Sequence, residues 1–250
     1  MNNFKSRFKL GELFGIPIYL DITFAIILLI FFFDMSVEYA VPFTLVLAIS
    51  IVLHELGHSL TARAFGFPTR DITLSLLGGC ASLLSLPKKA YQEFLTAIAG
   101  PMVSFAIAIA ANLVLNMLPF ESEGLAMVIY FTQVMNLTLG LFNLLPALPM
   151  DGGRVFRSFM RFFVTRVKAT YIAMWVGRVV AIALVALPFF GVRHLGPIPI
   201  GGYFFIRLMI AWMIWQEGRR EYLLARSESD YRHWTQDDFK ARVSPPPYAR

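Results

Sequence analysis

The sequence is poor in cysteine and in charge. Cys80 is the only cysteine among 250 residues, so neither a disulfide framework nor a cysteine-rich zinc site can form within one chain. Charged residues make up only 15% of the chain, whereas hydrophobic residues reach 57%. The net charge is +6, but the basic residues are not clustered as they are in a nucleic-acid-binding patch. This composition argues against a soluble domain and a nucleic-acid partner, and it indicates an integral membrane protein.

Six apolar runs approach or reach the length of about 20 residues that a bilayer-crossing helix needs. The predicted spans are residues 16–33, 42–62, 94–118, 125–145, 171–190 and 198–215. The first run lacks a small-residue cleavage site, so we do not interpret it as a signal peptide. The predicted fold class is an all-α polytopic membrane protein with six transmembrane helices. Residues 1–215 would form its core, and the polar residues 216–250 a partly disordered cytoplasmic tail.

The distribution of basic residues predicts the orientation of the chain. Of the 22 Lys and Arg residues, 19 lie in residues 1–15, 63–92, 151–170 and 216–250. The alternate loops contain only Arg193. By the positive-inside rule, both termini then face the cytoplasm, and we expect the protein in a prokaryotic plasma membrane.

The second apolar run contains the motif H-E-x-x-H. His54 and His58 are four residues apart, so on a helix they share one face and can bind one ion. Two neutral imidazoles suit zinc, and Glu55 can hold or deprotonate a water at the metal, as in metalloproteases. Structural histidines that match by chance are the alternative. However, ionisable groups in an apolar helix cost at least about 2.5 kcal/mol each and are rarely kept without a function.

A catalytic zinc ion needs three protein ligands and an open position for water. No histidine follows His58 at the metzincin spacing, so the third ligand must come from elsewhere in the chain. The metal motif would lie in the cytoplasmic half of the second span, and Asp151 lies just past the cytoplasmic end of the fourth. Asp151 follows a proline-rich turn and precedes two glycines, which favours a close backbone approach. Asp71 and Glu93 have a suitable depth but no ordering context, and Asp151 alone could be a simple turn carboxylate.

Together, H-E-L-G-H in the second span and N-L-L-P-A-L-P-M-D-G-G-R at the end of the fourth resemble the site-2 protease family of zinc intramembrane metalloproteases. The resemblance covers about residues 10–215, with Met150 where Leu is usual. It implies one zinc ion per chain and these roles: zinc ligands His54, His58 and Asp151, general base Glu55, and substrate contact Asn143. We expect a compact form of the family, without PDZ or CBS modules.

Two shorter segments also resemble the family. Residues 100–104 are similar to its G-x-x-x-N/S/G element, although close helix packing through small residues would explain them equally well. Residues 70–86 alternate in polarity around Gly78 and Gly79, which predicts a small membrane-associated β-hairpin between helices 2 and 3 with the glycines as its turn. The hairpin would either cover the site or offer its free edge to an unwound substrate.

Residues 154–166 predict a short amphipathic helix at the membrane surface. Arg154, Arg157 and Arg161 share one face of this helix. We expect this helix to be a membrane-surface anchor rather than a partner-binding site.

The predicted function is a zinc-dependent intramembrane endopeptidase. The resemblance implies that the substrate is a single-span membrane protein cut within or near its transmembrane helix. The partners would be this substrate and membrane lipid, and the oligomeric state stays open. The alternative is a divalent-metal transporter or an inactive membrane binding protein, because intramembrane His and Asp also line ion paths. A transporter would be expected to carry polar groups along both halves of its path, whereas here they cluster in the cytoplasmic half.

Overall fold

The computed structural model describes residues 7–34, 36–75, 78–83, 87, 89–117, 119, 122–192, 194–195, 198–199 and 204–243. In chain order, its elements are β1 (Arg7–Leu13), β2 (Ile16–Asp21), α1 (Ala25–Asp34), α2 (Val37–Ala64), β3 (Thr69–Ser75), β4 (Gly78–Leu83), α3 (Ala90–Met117), α4 (Glu123–Asn143), α5 (Asp151–Met160), α6 (Arg166–Ala186), β5 (His194–Leu195), β6 (Ile198–Pro199) and α7 (Phe204–Val243). Short 3-10 turns precede α1 and follow α6.

Four helices in the described part of the chain are long and apolar enough to cross a membrane. They are α2, α3, α4, and α6 together with the turn that continues it to Phe190. These four correspond to the predicted spans at residues 42–62, 94–118, 125–145 and 171–190. The helices α2 and α3 extend beyond their apolar runs, because the polar flanking residues continue the same backbone hydrogen bonding.

The sequence predicts one continuous helix for the first apolar run, but the structure shows a strand followed by a short helix. Its first part is strand β2, in which Ile16 and Ile18 are buried, and Asp21 then caps the 3-10 turn by accepting a hydrogen bond from the N–H of Thr23 at 2.9 Å. The remaining helix α1 has 10 residues and is about 15 Å long, half the thickness of the hydrocarbon core. A short apolar run is compatible with a buried strand or a helix, and tertiary pairing decides between them. The count of six spans stays a prediction.

The four strands β1 to β4 form one sheet in chain order. Neighbours pair antiparallel except β2 and β3, which pair parallel because α1 and α2 connect them. Ile16 and Ile72 are fully buried against Leu56 of α2. The sheet therefore packs on the helix that carries the H-E-x-x-H motif.

Strands β3 and β4 form an antiparallel pair between α2 and α3, but the glycines do not make the turn that the sequence predicted. Gly78 pairs with Ser75 and Gly79 pairs with Leu74, so both glycines belong to β4. A Cβ atom at Gly79 would lie 2.5 Å from Cγ of Glu55. Gly79 is thus required because β4 passes close to α2. The membrane association of this hairpin stays a prediction.

The last helix, α7, continues to Val243. Its polar residues up to 243 continue the helix, residues 244–250 lie outside the described part of the chain, and a partly disordered tail over residues 216–250 stays a prediction. The helix packs along α6, with the rings of Tyr171 and Tyr222 5.3 Å apart. The boundary between core and tail at residue 215 stays a prediction.

Candidate metal centre

The two histidines of the motif lie one turn apart on α2, and both are buried. Their Nε2 atoms are 3.2 Å apart and point to the same place. This is the geometry that the four-residue spacing predicted, because side chains four residues apart lie above one another on a helix.

Asp151, the first residue of α5, completes the cluster. Its Oδ2 atom lies 3.1 Å from Nε2 of His54 and 3.1 Å from Nε2 of His58. Gly152 and Gly153 allow this approach, because they pack directly on the backbone of residues 144–148, and a Cβ atom at Gly153 would lie 2.5 Å from the nitrogen of Leu148.

The outer nitrogen of each imidazole is held by α3. Nδ1 of His58 lies 2.7 Å from the carbonyl oxygen of Thr96, which can only accept, so this nitrogen carries the proton and Nε2 presents a lone pair. Nδ1 of His54 lies 2.9 Å from Oγ of Ser104, which is fully buried. Such partners orient metal-binding histidines and select their tautomer. The sequence does not indicate the role of Thr96, because every residue has a backbone carbonyl and the side chain takes no part in this contact.

Gly100 explains the small-residue element of α3. A Cβ atom at this position would overlap the ring of His58 and lie 2.8 Å from Nε2 of His54. Gly100 therefore clears space for the two imidazoles, and Ser104 lies on the same side of α3, one turn further along. The element has a direct role at the cluster in addition to helix packing.

The cluster fits a zinc ion. Zn–N bonds of 2.0–2.1 Å in a tetrahedral site place neighbouring donor atoms about 3.3 Å apart, close to the 3.1–3.2 Å measured here. With the proton of His58 on Nδ1, and that of His54 on Nδ1 beside Oγ of Ser104, three lone pairs would converge at one place where a cation would bind. The other two carboxylates considered as ligands are engaged elsewhere, Asp71 with Arg70 and Glu93 with Arg157.

Glu55 lies beside the cluster on α2 and is half-buried. Its Oε2 atom accepts a hydrogen bond from the N–H of Ala81 in β4 at 3.1 Å. This N–H points to α2 rather than to β3, so the outer edge of β4 faces Glu55. The hydrogen bond to the edge of a strand thus helps to fix the carboxylate of the residue that follows His54.

Asn143 is the last residue of α4. Its side-chain nitrogen donates to the carbonyl oxygen of Leu139 in its own helix at 3.0 Å. Within the described residues, the side chain makes no hydrogen bond to the three clustered residues. A contact with substrate would require the amide to turn away from Leu139.

The sequence predicts that the helix after Asp151 anchors the chain to the membrane surface through its arginines. For Arg157 this prediction is wrong. Arg157 is 5% exposed and forms ion pairs with Glu93 and Glu221. Arg161 also contacts Glu93, at 2.5 Å. The prediction failed because the partners lie 64 and 68 residues away in the sequence.

Long apolar helices around a His-His-Asp cluster define the protein as a membrane metalloprotein. The model of the peptidase family M50 matches residues 42–122 and 119–187. The chain therefore belongs to this family, and its recognition as a site-2 protease relative is confirmed.

Curated relatives and a solved structure are similar over much of the chain. A zinc metalloprotease of Methanocaldococcus jannaschii is 39% identical over 72% of this chain and 53% of its own length. A Synechocystis sp. protein, named provisionally as a zinc metalloprotease, is 33% identical over 98% of this chain and 66% of its own length. The solved site-2 protease from M. jannaschii superposes with a TM-score of 0.63 at 30% identity, covering 86% of this chain and 95% of that structure.

The chain thus spans about half to two thirds of the length of these two curated relatives. Membership of the family, together with the four apolar helices, establishes an integral membrane protein of the metalloprotease type with a metal-binding cluster.

Met150, the departure from the family motif, is buried in a core with Ala147 and Ile214. A flexible Met side chain fills the space that a Leu would occupy.

Proposed function

We propose that this protein is a zinc-dependent intramembrane endopeptidase that binds one zinc ion and cuts a single-span membrane protein within or near its transmembrane helix. The observation that carries the proposal is the triangle of donor atoms from His54, His58 and Asp151, with Glu55 adjacent to it. The names of the M. jannaschii relatives support the same activity.

The cluster, Glu55 and Asn143 would each have a separate role in peptide hydrolysis. Zinc at the cluster would polarise the scissile carbonyl and lower the pKa of water toward about 7. Glu55 accepts a proton from the attacking water and returns it to the leaving amine. We assign Asn143 to the substrate, where its amide can donate to the carbonyl oxygen once it leaves Leu139. A donor of this kind contributes roughly 2.7–4 kcal/mol to the transition state.

The edge of β4 offers a way to present the substrate. A helical peptide bond is enclosed by its own hydrogen bonds, so it must be extended before water can attack it. An unwound segment could add to the outer edge of β4 as a further strand and would then lie beside Glu55. The alternative is that β4 only covers the site.

We also propose six membrane segments with both termini in the cytoplasm of a prokaryotic cell, as the distribution of basic residues indicates. Phe24, which precedes α1, packs with Ile51 of α2 and Leu74 of β3. In this arrangement α1 follows only the outer half of α2, and the sheet covers the cytoplasmic half. Strand backbone is tolerated at that depth because neighbouring strands satisfy it. Membrane lipid would contact the outer faces of the helices.

The test is cleavage by the purified protein in detergent. The protein is incubated with a candidate single-span substrate, with and without a zinc chelator, beside the variant Glu55→Gln. We expect cleavage only by the unchanged protein with zinc. Metal uptake into vesicles without any cleavage would instead support the transporter.

A further inference from the structure

The ion pairs of Arg157 are not explained by the chemistry of cleavage. Its Nε and Nη2 atoms lie 2.8 and 2.6 Å from Oε1 of Glu93, and Nη1 donates to Oε2 of Glu221 at 2.7 Å. Arg157 and Glu93 are both buried. Burying such charges is costly unless their geometry is good, and a hydrophobic pair would often be as stable. The position of Arg157 and Glu93 in the fold suggests a role for these contacts.

Arg157 and its two carboxylate partners join three helices next to the metal centre. Arg157 lies six residues after Asp151 on α5, about 9 Å along the helix axis. Glu93 lies on α3, three residues before Thr96, whose carbonyl orients His58. The guanidinium of Arg157 therefore connects the helix that carries one ligand to the helix that orients another.

The third helix is α7. Glu221 contacts Arg157, and Glu228, two turns further along α7, contacts Arg166 at the start of α6 at 2.7 Å. The part of α7 that follows its apolar residues is thus bound to α5 and α6. Of these two ion pairs of α7, the one through Glu221 reaches the helix of Asp151.

We propose that Arg157 is a positioning residue of the metal centre, which holds α5 at the tilt where Asp151 meets the two histidines, and that Glu221 makes α7 part of this support. The inference rests on the proposed function, since it requires that the cluster binds an ion. Gly152 and Gly153 hold the first turn of α5 on the preceding loop. Arg157 holds its second turn, and two points of attachment determine the direction of a short helix.

The residue type follows from this role. A guanidinium is planar and carries several N–H donors, so one side chain can bind Glu93 with two donors and Glu221 with a third. A lysine at this position keeps the charge but cannot reproduce the two-sided contact. Arg157→Lys therefore tests the geometry separately from the charge.

The experiment measures metal binding rather than cleavage. The full chain is purified in detergent and stripped of metal, and Co²⁺ is titrated against a competing chelator while its visible absorption reports the ligand geometry. The variants are Arg157→Lys and Glu221→Gln, with Glu228→Gln as the matched control, because Glu228 also joins α7 to another helix and its ion pair is with Arg166 of α6. The melting temperature of each metal-free protein is recorded.

We expect Co²⁺ to bind roughly 10- to 100-fold more weakly to Arg157→Lys and about 10-fold more weakly to Glu221→Gln, as for other residues that support metal ligands. The control should stay within about twofold of the unchanged protein. Arg157→Met would leave Glu93 buried without this partner and is expected to unfold, so the two milder variants decide the question.

Equal Co²⁺ affinity and an unchanged spectrum in both variants, even with lower melting temperatures, would overturn the inference and leave Arg157 a purely structural residue. An equal loss in Glu228→Gln would also overturn it, because the effect would then belong to helix packing in general. If the unchanged protein bound no Co²⁺, the proposed function itself would fail.

Discussion

At the scale of single residues, the metal centre depends on small features with large consequences. The carbonyl of Thr96 places the proton of His58 on Nδ1 and so frees Nε2 for an ion. Gly100 provides the space in which both rings stand. Neither feature carries charge or chemistry of its own, yet each determines whether the three donor atoms can converge.

The role of Glu55 can be tested apart from metal binding. Glu55→Gln keeps the shape of the side chain but removes its ability to accept a proton. We expect cleavage to fall by about 10²- to 10⁴-fold while the zinc content stays unchanged. The measurement is the cleavage rate with metal analysis of the same sample, and His54→Ala, which should lose both, is the comparison. Cleavage by Glu55→Gln at the unchanged rate would contradict the mechanism.

Gly100→Ala tests the space around the histidines. The added methyl group would overlap the ring of His58, so the imidazoles must move and zinc should be lost or bound at least about 10-fold more weakly. The matched control is Gly124→Ala, where a Cβ atom meets only Oγ of Ser122, at 3.9 Å. Zinc content per chain decides the question, and full zinc in Gly100→Ala would show that the site can rearrange.

At the scale of elements, strand β4 and helix α7 are where the sequence was hardest to interpret. Strand β4 contains two glycines that indicate a turn, but Gly79 is needed for contact with α2. The polar second half of helix α7 predicts a partly disordered tail, and the sequence does not show that Glu221 and Glu228 of this segment contact α5 and α6. Both elements border the metal centre or its support.

The proposed role of the β4 edge predicts an effect of proline. Leu83 is two residues after Ala81, so its N–H points to the same edge. Leu83→Pro removes this donor without touching Glu55. We expect cleavage to slow by about two- to tenfold, the value of one hydrogen bond, with zinc unchanged. An unchanged rate would indicate that β4 only covers the site.

The same hypothesis predicts a substrate preference. Gly, Pro or Asn near the cut lowers the stability of the substrate helix by up to about 1 kcal/mol for Gly and about 3 for Pro. Substrates with these residues should be cut faster than an all-leucine helix of equal length. Equal rates would indicate that unwinding does not limit the reaction.

The contact of α7 with α5 predicts a dependence of stability on pH. Burial alone would raise the pKa of Glu221, but Arg157, with Arg154 and Arg166 nearby, lowers it below its ordinary value of 4.5. The ionised carboxylate therefore stabilises the fold above pH 4.5, and this contribution is lost as the pH falls through the lowered pKa. Glu221→Gln should melt at a lower temperature than the unchanged protein at pH 7. The difference should shrink below pH 4.5, and a constant difference would contradict this account.

At the scale of the whole molecule, the proposed topology can be tested with single cysteines in a Cys80→Ser background. Ser36→Cys and Ser122→Cys should react with an impermeant thiol reagent added to intact cells. Lys5→Cys and Asp230→Cys should react only after the cells are opened. The reverse pattern would overturn the orientation that the basic residues predict.

Local spacing in the sequence is enough to predict several parts of this protein. The four long apolar helices and the shared face of His54 and His58 follow from patterns of a few residues. Asp151 is also predicted as the third ligand from the sequence, but this prediction depends on the expected position of Asp151 in the membrane and on the resemblance to the family. The structure brings Oδ2 of Asp151 within 3.1 Å of both histidines across more than 90 residues.

Features that depend on pairing between distant residues become visible only in the folded chain. The run that begins at Ile16 becomes a strand because β3 pairs with it, and neither strand shows its partner in its own residues. Arg157 was assigned to the membrane surface because its periodicity fits an exposed face, whereas its partners Glu93 and Glu221 are each 64 residues away. Periodicity shows which residues share a face, but contacts between elements decide what that face meets, and these contacts form only when the chain folds.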